Sequence, residues 1–469
     1  MWYDEIFSLT FIKDHSVISI IIDSFRVDFH PFVYYFLLKL WTILFGQSEV
    51  TSRLLSTFIG LTSIIMIYQF SLTLFNNRAS ATLSALLAAI SPVYACFARE
   101  ARMYMFLILS WTMLLYCMQK LIKTDYAWKW IAGFIFTFFL FSYSHGSSGF
   151  ITLPFIIPAL LFGIGSDLKN NYSYKLMTKV SIISACVLIY LPWLIRLTII
   201  VSSDSSKATL SVLEGFLFMY QLLFLRPGSL LYTSNPIIFF LVLLLLTVTI
   251  TALYCHARKA GNVYQIVFLS LSYIIPILTV VILSRLKPFY LPRILLFLFV
   301  PIVIIIPAGI VEIFKTSIKQ TKLFRYFLLL TNFLLILIFI KFLIGVTLND
   351  LTAGHQKDDW RGIVNYANQN ISKNDIVLLY PAFTKICFRH YYDNDKDLKI
   401  IGIGDKDKDF NKTTRQFFHE LSKAERNAKI WVFFSHKRNK EKLHNELINR
   451  NLILDGIIKA PGIVLAVYK

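Results

Sequence analysis

The chain has 469 residues, 56% of them hydrophobic and 16% aromatic, with a mean hydropathy of +0.62. Soluble domains hold about 45–50% apolar residues, so this composition excludes an ordinary soluble globular protein. A formal charge of +20 would suggest nucleic acid in a soluble chain, but here Lys and Arg gather between apolar runs, where they set membrane orientation; no nucleic-acid partner is expected.

The first stretch, MWYDEIFSL, sets Asp4 and Glu5 side by side ahead of any run long enough to span. Polar, acidic first residues do not make a cleavable signal peptide. RVDFHPFVYY follows, with Asp28, His30 and Pro31. The stretch 31–46 is apolar but short, holds Lys39 and begins at a proline. It fits an interfacial or re-entrant helix better than a span. Residues 1–52 are therefore read as an outer loop carrying acids and interfacial helices.

From 53 to 346 uncharged stretches recur at roughly 53–75, 79–98, 103–119, 129–145, 148–165, 180–200, 235–255, 263–284, 290–311 and 323–346, which makes about ten spans. If the first runs inward, the inner loops hold Arg78; Lys120, Lys123 and Lys129; Lys169, Lys175 and Lys179; Arg258 and Lys259; and Lys315, Lys319, Lys322 and Arg325. The short outer loops, around Glu100, SHGSS and SRLKPFYLPR, are less basic. The positive-inside rule supports this direction and places the tail outside. Segment 201–235 then lies outside, with LSVLEGFLFMYQLLFL read as a helix on the outer leaflet.

Residues 347–469 change character. Helix-like stretches (DDWRGIVNYANQN, TTRQFFHELSKAERN, NKEKLHNELINRN) alternate with strand-like ones (DIVLLY, LKIIGIG, KIWVFF, GIVLAVYK). That alternation reads as a small α/β domain. No dinucleotide fingerprint is present, and GIGDK is read as a turn. Cys96, Cys117, Cys186 and Cys255 lie in or beside apolar runs and Cys387 stands alone in the tail, with no disulfide or zinc spacing.

This topology gathers ionisable residues near helix ends on one side of the membrane: Asp4, Glu5, Asp28, His30, Glu100, Arg102, His145, Arg285, Lys287 and Arg293. Each has a bland explanation. Lys287 is best read as a snorkelling side chain, the Arg99–Arg102 group as a solvated loop with local ion pairs, and His30 as a helix-capping residue. Together they suit group transfer at the membrane surface. A carboxylate accepts the proton of an attacking hydroxyl or amine, and Arg or Lys holds the phosphate of a lipid-linked donor as leaving group. That combination describes a sugar transferase fed by a lipid phosphate.

MWYDEIFSL, DFHPFVYYFLLKLWTILFGQSEVTSRLLSTFIG and SPVYACFAREARMYMFLILS resemble the bacterial membrane glycosyltransferases of the C-type superfold, the glycosyltransferase 39/83-type group of protein O-mannosyltransferases and lipid A aminoarabinose transferase. The family pattern is an acidic pair after the first helix, D-x-H-P-P-L-Y-Y, an R-L-x-S span start and E-A-R-x-Y on the next outer loop. YSHG at His145, FYLPRILLFLFVP at Arg293 and DDWRGIVNYANQN resemble later landmarks. The resemblance implies a polytopic α-helical membrane protein with a small C-terminal α/β extracytoplasmic domain in a bacterial cytoplasmic membrane. It implies Asp4 as catalytic base with Glu5 as second acid. It implies donor-phosphate or acceptor contacts at His30, Tyr34, Glu100, Arg102, Tyr104, His145 and Arg293, to which Arg285 and Lys287 are added from the cluster on the outer face, and inversion at the sugar. The partners expected are a polyprenyl-phosphate sugar donor, a lipid, glycan or protein acceptor, and membrane lipids.

The chain departs from the pattern at Phe32, where the family has a second proline, and at Ile294, where tyrosine often follows the arginine. The family also has a transmembrane helix before the acidic pair, so the expectation is a start upstream of Met1. Asp4, Glu5 and Glu100 would be the ligands if a divalent cation is used, but no His/Cys spacing demands one. Two other classes compete. A transporter or flippase of lipid-linked sugars would place charges mid-span, and a non-catalytic assembly protein would depend on its tail alone.

Overall fold

The structure is a computed structural model that describes residues 1–27, 30–161, 173–201, 263–286, 292–317, 358–392, 398–404, 407–422, 428–435, 440–450 and 452–469. Contacts divide the chain into two units. Met1–Asp14 joins Ala353–Lys469 in one, and His15–Thr352 forms the other. Helix α1 (Tyr3–Asp14) belongs to the first.

The second unit is helical. Its elements are α2 (Val17–Val27), α3 (Phe32–Phe45), α4 (Glu49–Phe75), α5 (Arg78–Ile90), α6 (Pro92–Ala98), α7 (Tyr104–Lys123), α8 (Trp128–Ser142) and α9 (Ser148–Leu161). Helix Ser173–Val201, helix Val263–Leu286, a 3-10 stretch Pro292–Leu298 and helix Phe299–Ser317 follow. Among the described residues five helices are long and apolar enough to cross a membrane, or six if α5 and α6 form one broken span. The chain is a polytopic α-helical membrane protein. Helix α3, at 14 residues, is shorter than the roughly 20 a span takes. The stretches 235–255 and 323–346, segment 201–235 beyond Val201, Asp28 and Lys287 lie outside the described residues.

Local sequence explains the helix boundaries. Helix α4 starts at a capping box: Thr51 N–H donates to Ser48 Oγ at 3.1 Å, and Ser48 N–H donates back to Thr51 Oγ1 at 3.0 Å. It stops at Asn76, whose φ of 47° closes the last turn in the left-handed region. The inner face of α4 carries small buried residues, Ser52, Ser56, Gly60 and Ser63. They let backbones approach closely, as apolar bundles require. A Cβ at Gly60 would stand 3.3 Å from Met105 Sδ on α7. Between α5 and α6 the chain bends by 62° at Ser91. Pro92 sits at the first turn of α6, where its missing N–H costs nothing.

The first unit is a five-stranded sheet with helices on it. The strands are β1 (Ile376–Tyr380), β2 (Lys399–Gly402), β3 (Ile430–Ser435), β4 (Leu454–Ala460) and β5 (Ile463–Tyr468), in the order β2-β1-β3-β5-β4. β1 runs parallel to β2 and β3; β5 runs antiparallel to β3 and β4. β1 and β3 are buried along their whole length, as central strands covered on both faces should be. On one face Trp360, Val377, Leu379, Cys387 and Phe433 form a core, and Ile6 of α1 is buried in it. Helix Trp360–Asn370 is capped by Asp359, which accepts from Gly362 N–H at 2.9 Å. The β4–β5 turn needs glycine at 462. Its φ is +71°, and a Cβ there would collide with Asp358 Oδ1.

Candidate active site

Asp4 and Glu5 occupy the first turn of α1, where unpaired backbone N–H groups and the helix dipole favour negative charge. Asp4 is half-buried. Glu5 is buried, and its Oε2 accepts from Trp2 N–H at 3.4 Å. Both belong to the first unit.

The remaining candidates belong to the helical unit. Glu100 and Arg102 sit on the five-residue connection from α6 to α7, with relative exposures of 4% and 3%. That burial sets aside the solvated-loop reading of these two residues, because a buried carboxylate and guanidinium are costly unless held by partners. Cys96 S–H donates to Glu100 Oε1 at 3.9 Å. The backbone is fixed from α4, where Ser56 Oγ donates to the Arg102 carbonyl at 3.2 Å and lies 3.0 Å from the hydroxyl of Tyr34 on α3. Ser56 of α4 thus ties α3 and α4 to the Arg102 backbone. Tyr104 begins α7 with its ring 4.7 Å from Phe97, edge to face, and its hydroxyl accepts from Arg293 Nη1 at 3.1 Å. Arg293 is half-buried in the 3-10 stretch Pro292–Leu298. That stretch is otherwise apolar, and Ile294 to Leu298 are buried. The guanidinium is its only ionisable group.

His145 is buried, with Nδ1 3.0 Å from Ser147 Oγ. The His30 ring packs edge-on against the His145 ring at 5.0 Å. Arg285 is exposed in the last turn of helix Val263–Leu286. The structure therefore links Tyr34 through Ser56 to the Arg102 carbonyl, bonds Arg293 to Tyr104 two residues further on, and pairs His30 with His145. Among the described residues no group of three or more His, Cys, Asp or Glu side chains is placed to hold a metal ion. Two residues in the network were not picked out from sequence. Ser56 stands at the serine of the R-L-x-S start, which signalled it. Cys96 gave no signal beyond lying one helical turn before Glu100.

These elements make a bundle with apolar, membrane-spanning helices and a small C-terminal sheet domain. Residues 29–195 match the family model described as dolichyl-phosphate-mannose-protein mannosyltransferase. ArnT from Cupriavidus metallidurans, a lipid A aminoarabinose transferase solved bound to undecaprenyl phosphate, superimposes with a TM-score of 0.59 at 13% identity, covering 99% of this chain and 92% of that one. The archaeal oligosaccharyltransferase AglB from Archaeoglobus fulgidus, solved with an inhibitory peptide and a dolichol-phosphate, gives 0.50 at 10% identity, covering 91% of this chain and 65% of that one. At these identities the likeness carries the fold and leaves the chemistry to the residues. No curated protein matches the sequence significantly.

Proposed function

We propose that this protein is a membrane glycosyltransferase. It moves a sugar from a polyprenyl-phosphate-linked donor to a hydroxyl or amine of a lipid, glycan or protein acceptor, on the outer face of a bacterial cytoplasmic membrane. The observation that carries the reading is the buried Glu100 and Arg102 between α6 and α7, with the Arg102 carbonyl held by Ser56, itself bonded to Tyr34, and with Arg293 bonded to Tyr104 at the start of α7. Charged groups held at helix ends in an apolar bundle suit a phosphate headgroup whose chain lies in lipid. A flippase would put such charges at mid-span. Here Glu100 and Arg102 lie between helices, and Arg293 lies where a 3-10 stretch begins.

In the proposed reaction the acceptor oxygen or nitrogen attacks the anomeric carbon opposite the phosphate. A new bond forms to that carbon as its bond to the phosphate oxygen breaks. Polyprenyl phosphate leaves with the electron pair, its charge met by Arg293 and Arg102. The acceptor's proton passes to Asp4, with Glu5 as the second acid of the pair. Attack from the far side inverts the sugar. The sheet domain is assigned to the extracytoplasmic side.

The test is transfer of labelled sugar from a polyprenyl-phosphate donor in proteoliposomes. Asp4→Asn and Arg293→Ala are each expected to lower kcat by 100-fold or more, an estimate from typical losses of a general base or charge-stabilising group, while membrane insertion is unchanged. Full transfer by Asp4→Asn would remove Asp4 from the mechanism. Movement of labelled lipid across the bilayer with no product from any acceptor would replace the transferase reading with the flippase.

A further inference from the structure

We propose that the sheet-containing unit carries a second binding site, for a phosphate-bearing ligand, in a cleft between the last turn of α1 and helix Lys385–Tyr391. The cleft is open to solvent and has a volume of about 500 Å³. Thr10, Lys13 and Asp14 of α1 line it on one side; Lys385, Arg389 and His390 line it on the other. Both elements belong to the same unit. The inference does not depend on the transferase reading, because the cleft lies at the opposite end of α1 from Asp4 and Glu5.

Helix electrostatics account for part of this cluster. Lys13 ends α1, and Arg389 and His390 end their own helix, where cations complement the dipole. Lys385 is different. It is the first residue of its helix, at the end that disfavours a cation, and Arg389 lies one turn further on the same face. Like charges four residues apart repel. Burial, followed by the charge of Arg389, holds the Lys385 ammonium below the usual lysine range. Three cations, Lys13, Lys385 and Arg389, thus border the cleft with one carboxylate, Asp14; Lys385 is half-buried and the other three are exposed.

A phosphate suits the donors better than a carboxylate does. The Arg389 fork, two ammonium groups and the Thr10 hydroxyl surround one volume, and a phosphoester supplies enough oxygens and charge to engage them together. The size is that of ligand pockets, about 300–1,000 Å³, which is more than a bare ion needs. Phe383 and Ile386 give the cleft an apolar wall, and Phe383 is held from behind by Tyr3 at a ring distance of 4.8 Å. The expected occupant is a phosphomonoester or phosphodiester with an apolar or sugar portion, either a lipid headgroup or a soluble phosphoester.

The experiment uses the full chain in nanodiscs, with inorganic phosphate and glycerol phosphate titrated by phosphorus NMR and calorimetry. Saturable binding is expected, weakened about tenfold by Lys385→Gln or Arg389→Gln, abolished in the double variant, and unaffected by Lys459→Gln on exposed β4. Should the double variant fold poorly, Lys13→Gln on the other helix carries the test with the same expected loss. Phosphatidylcholine discs with and without phosphatidylglycerol separate the sources. Competition by the anionic lipid that disappears in the Lys13, Lys385 or Arg389 variants assigns the headgroup; no competition assigns the soluble phosphoester. Absence of saturable phosphate binding, or binding unchanged by all three substitutions, overturns the proposal.

Discussion

Cys387 shows how a single group reports on its surroundings. Its side chain is fully buried in the sheet domain. Burial first, then the charges of Asp358 and Asp4, push the thiol well above its ordinary range. The folded state therefore holds this proton after the unfolded chain, ionising near 8.5, has lost its own. The contribution to stability is intact below about pH 8.5 and is lost as pH rises beyond it. Thermal melting of the sheet domain between pH 7 and 10 should show a decline that Cys387→Ala lacks, and a maleimide at pH 8 should label Cys387 only on unfolding. At this scale the candidate site was partly legible. Glu100, Arg102 and Arg293 stood out because ionisable groups bordering an apolar run are expensive, and Tyr104 because it closes the E-A-R-x-Y stretch. Ser56 did not, because the R-L-x-S start marks its position but does not say that its hydroxyl, among the many on α4, reaches the Arg102 carbonyl.

At the scale of elements, α1 is held by its buried face. Ile6 lies in the core formed by Trp360, Val377, Leu379, Cys387 and Phe433. Ile6→Ala is expected to cost about 2–5 kcal/mol, read as a lower melting temperature of the sheet domain with the helical bundle's transition unmoved. Nothing in MWYDEIFSL alone points to that partner, since the contact joins residues more than three hundred apart in the chain. Sequence patterning captured β1, β2, β3 and β5 because each is a short apolar run. It missed β4, an edge strand that is exposed over most of its length, carries Asp455 and Gly456, and shifts register between Leu454 and Gly456. Helix Lys385–Tyr391 escaped for another reason: seven residues are too few for a helical period to register. The run 79–98 reads as one apolar stretch, yet Pro92 divides it into α5 and α6.

For the whole molecule, hydropathy made the membrane class plain, and the change of composition near residue 350 marked the sheet domain. Which segments share a unit was less visible, because chain neighbours such as Asp14 and His15 fall on opposite sides of the division. This arrangement makes α1 a spacer of set length. A helix rises about 1.5 Å per residue, so Asp4 and Lys13 stand roughly 14 Å apart along its axis. If the acid near one end takes the acceptor's proton and the cations near the other grip its phosphate, α1 gauges the span between those two groups on the incoming molecule. Synthetic acceptors in a graded series of tether lengths should then turn over fastest near that span and fall away on either side, and removing Lys385 and Arg389 should flatten the curve.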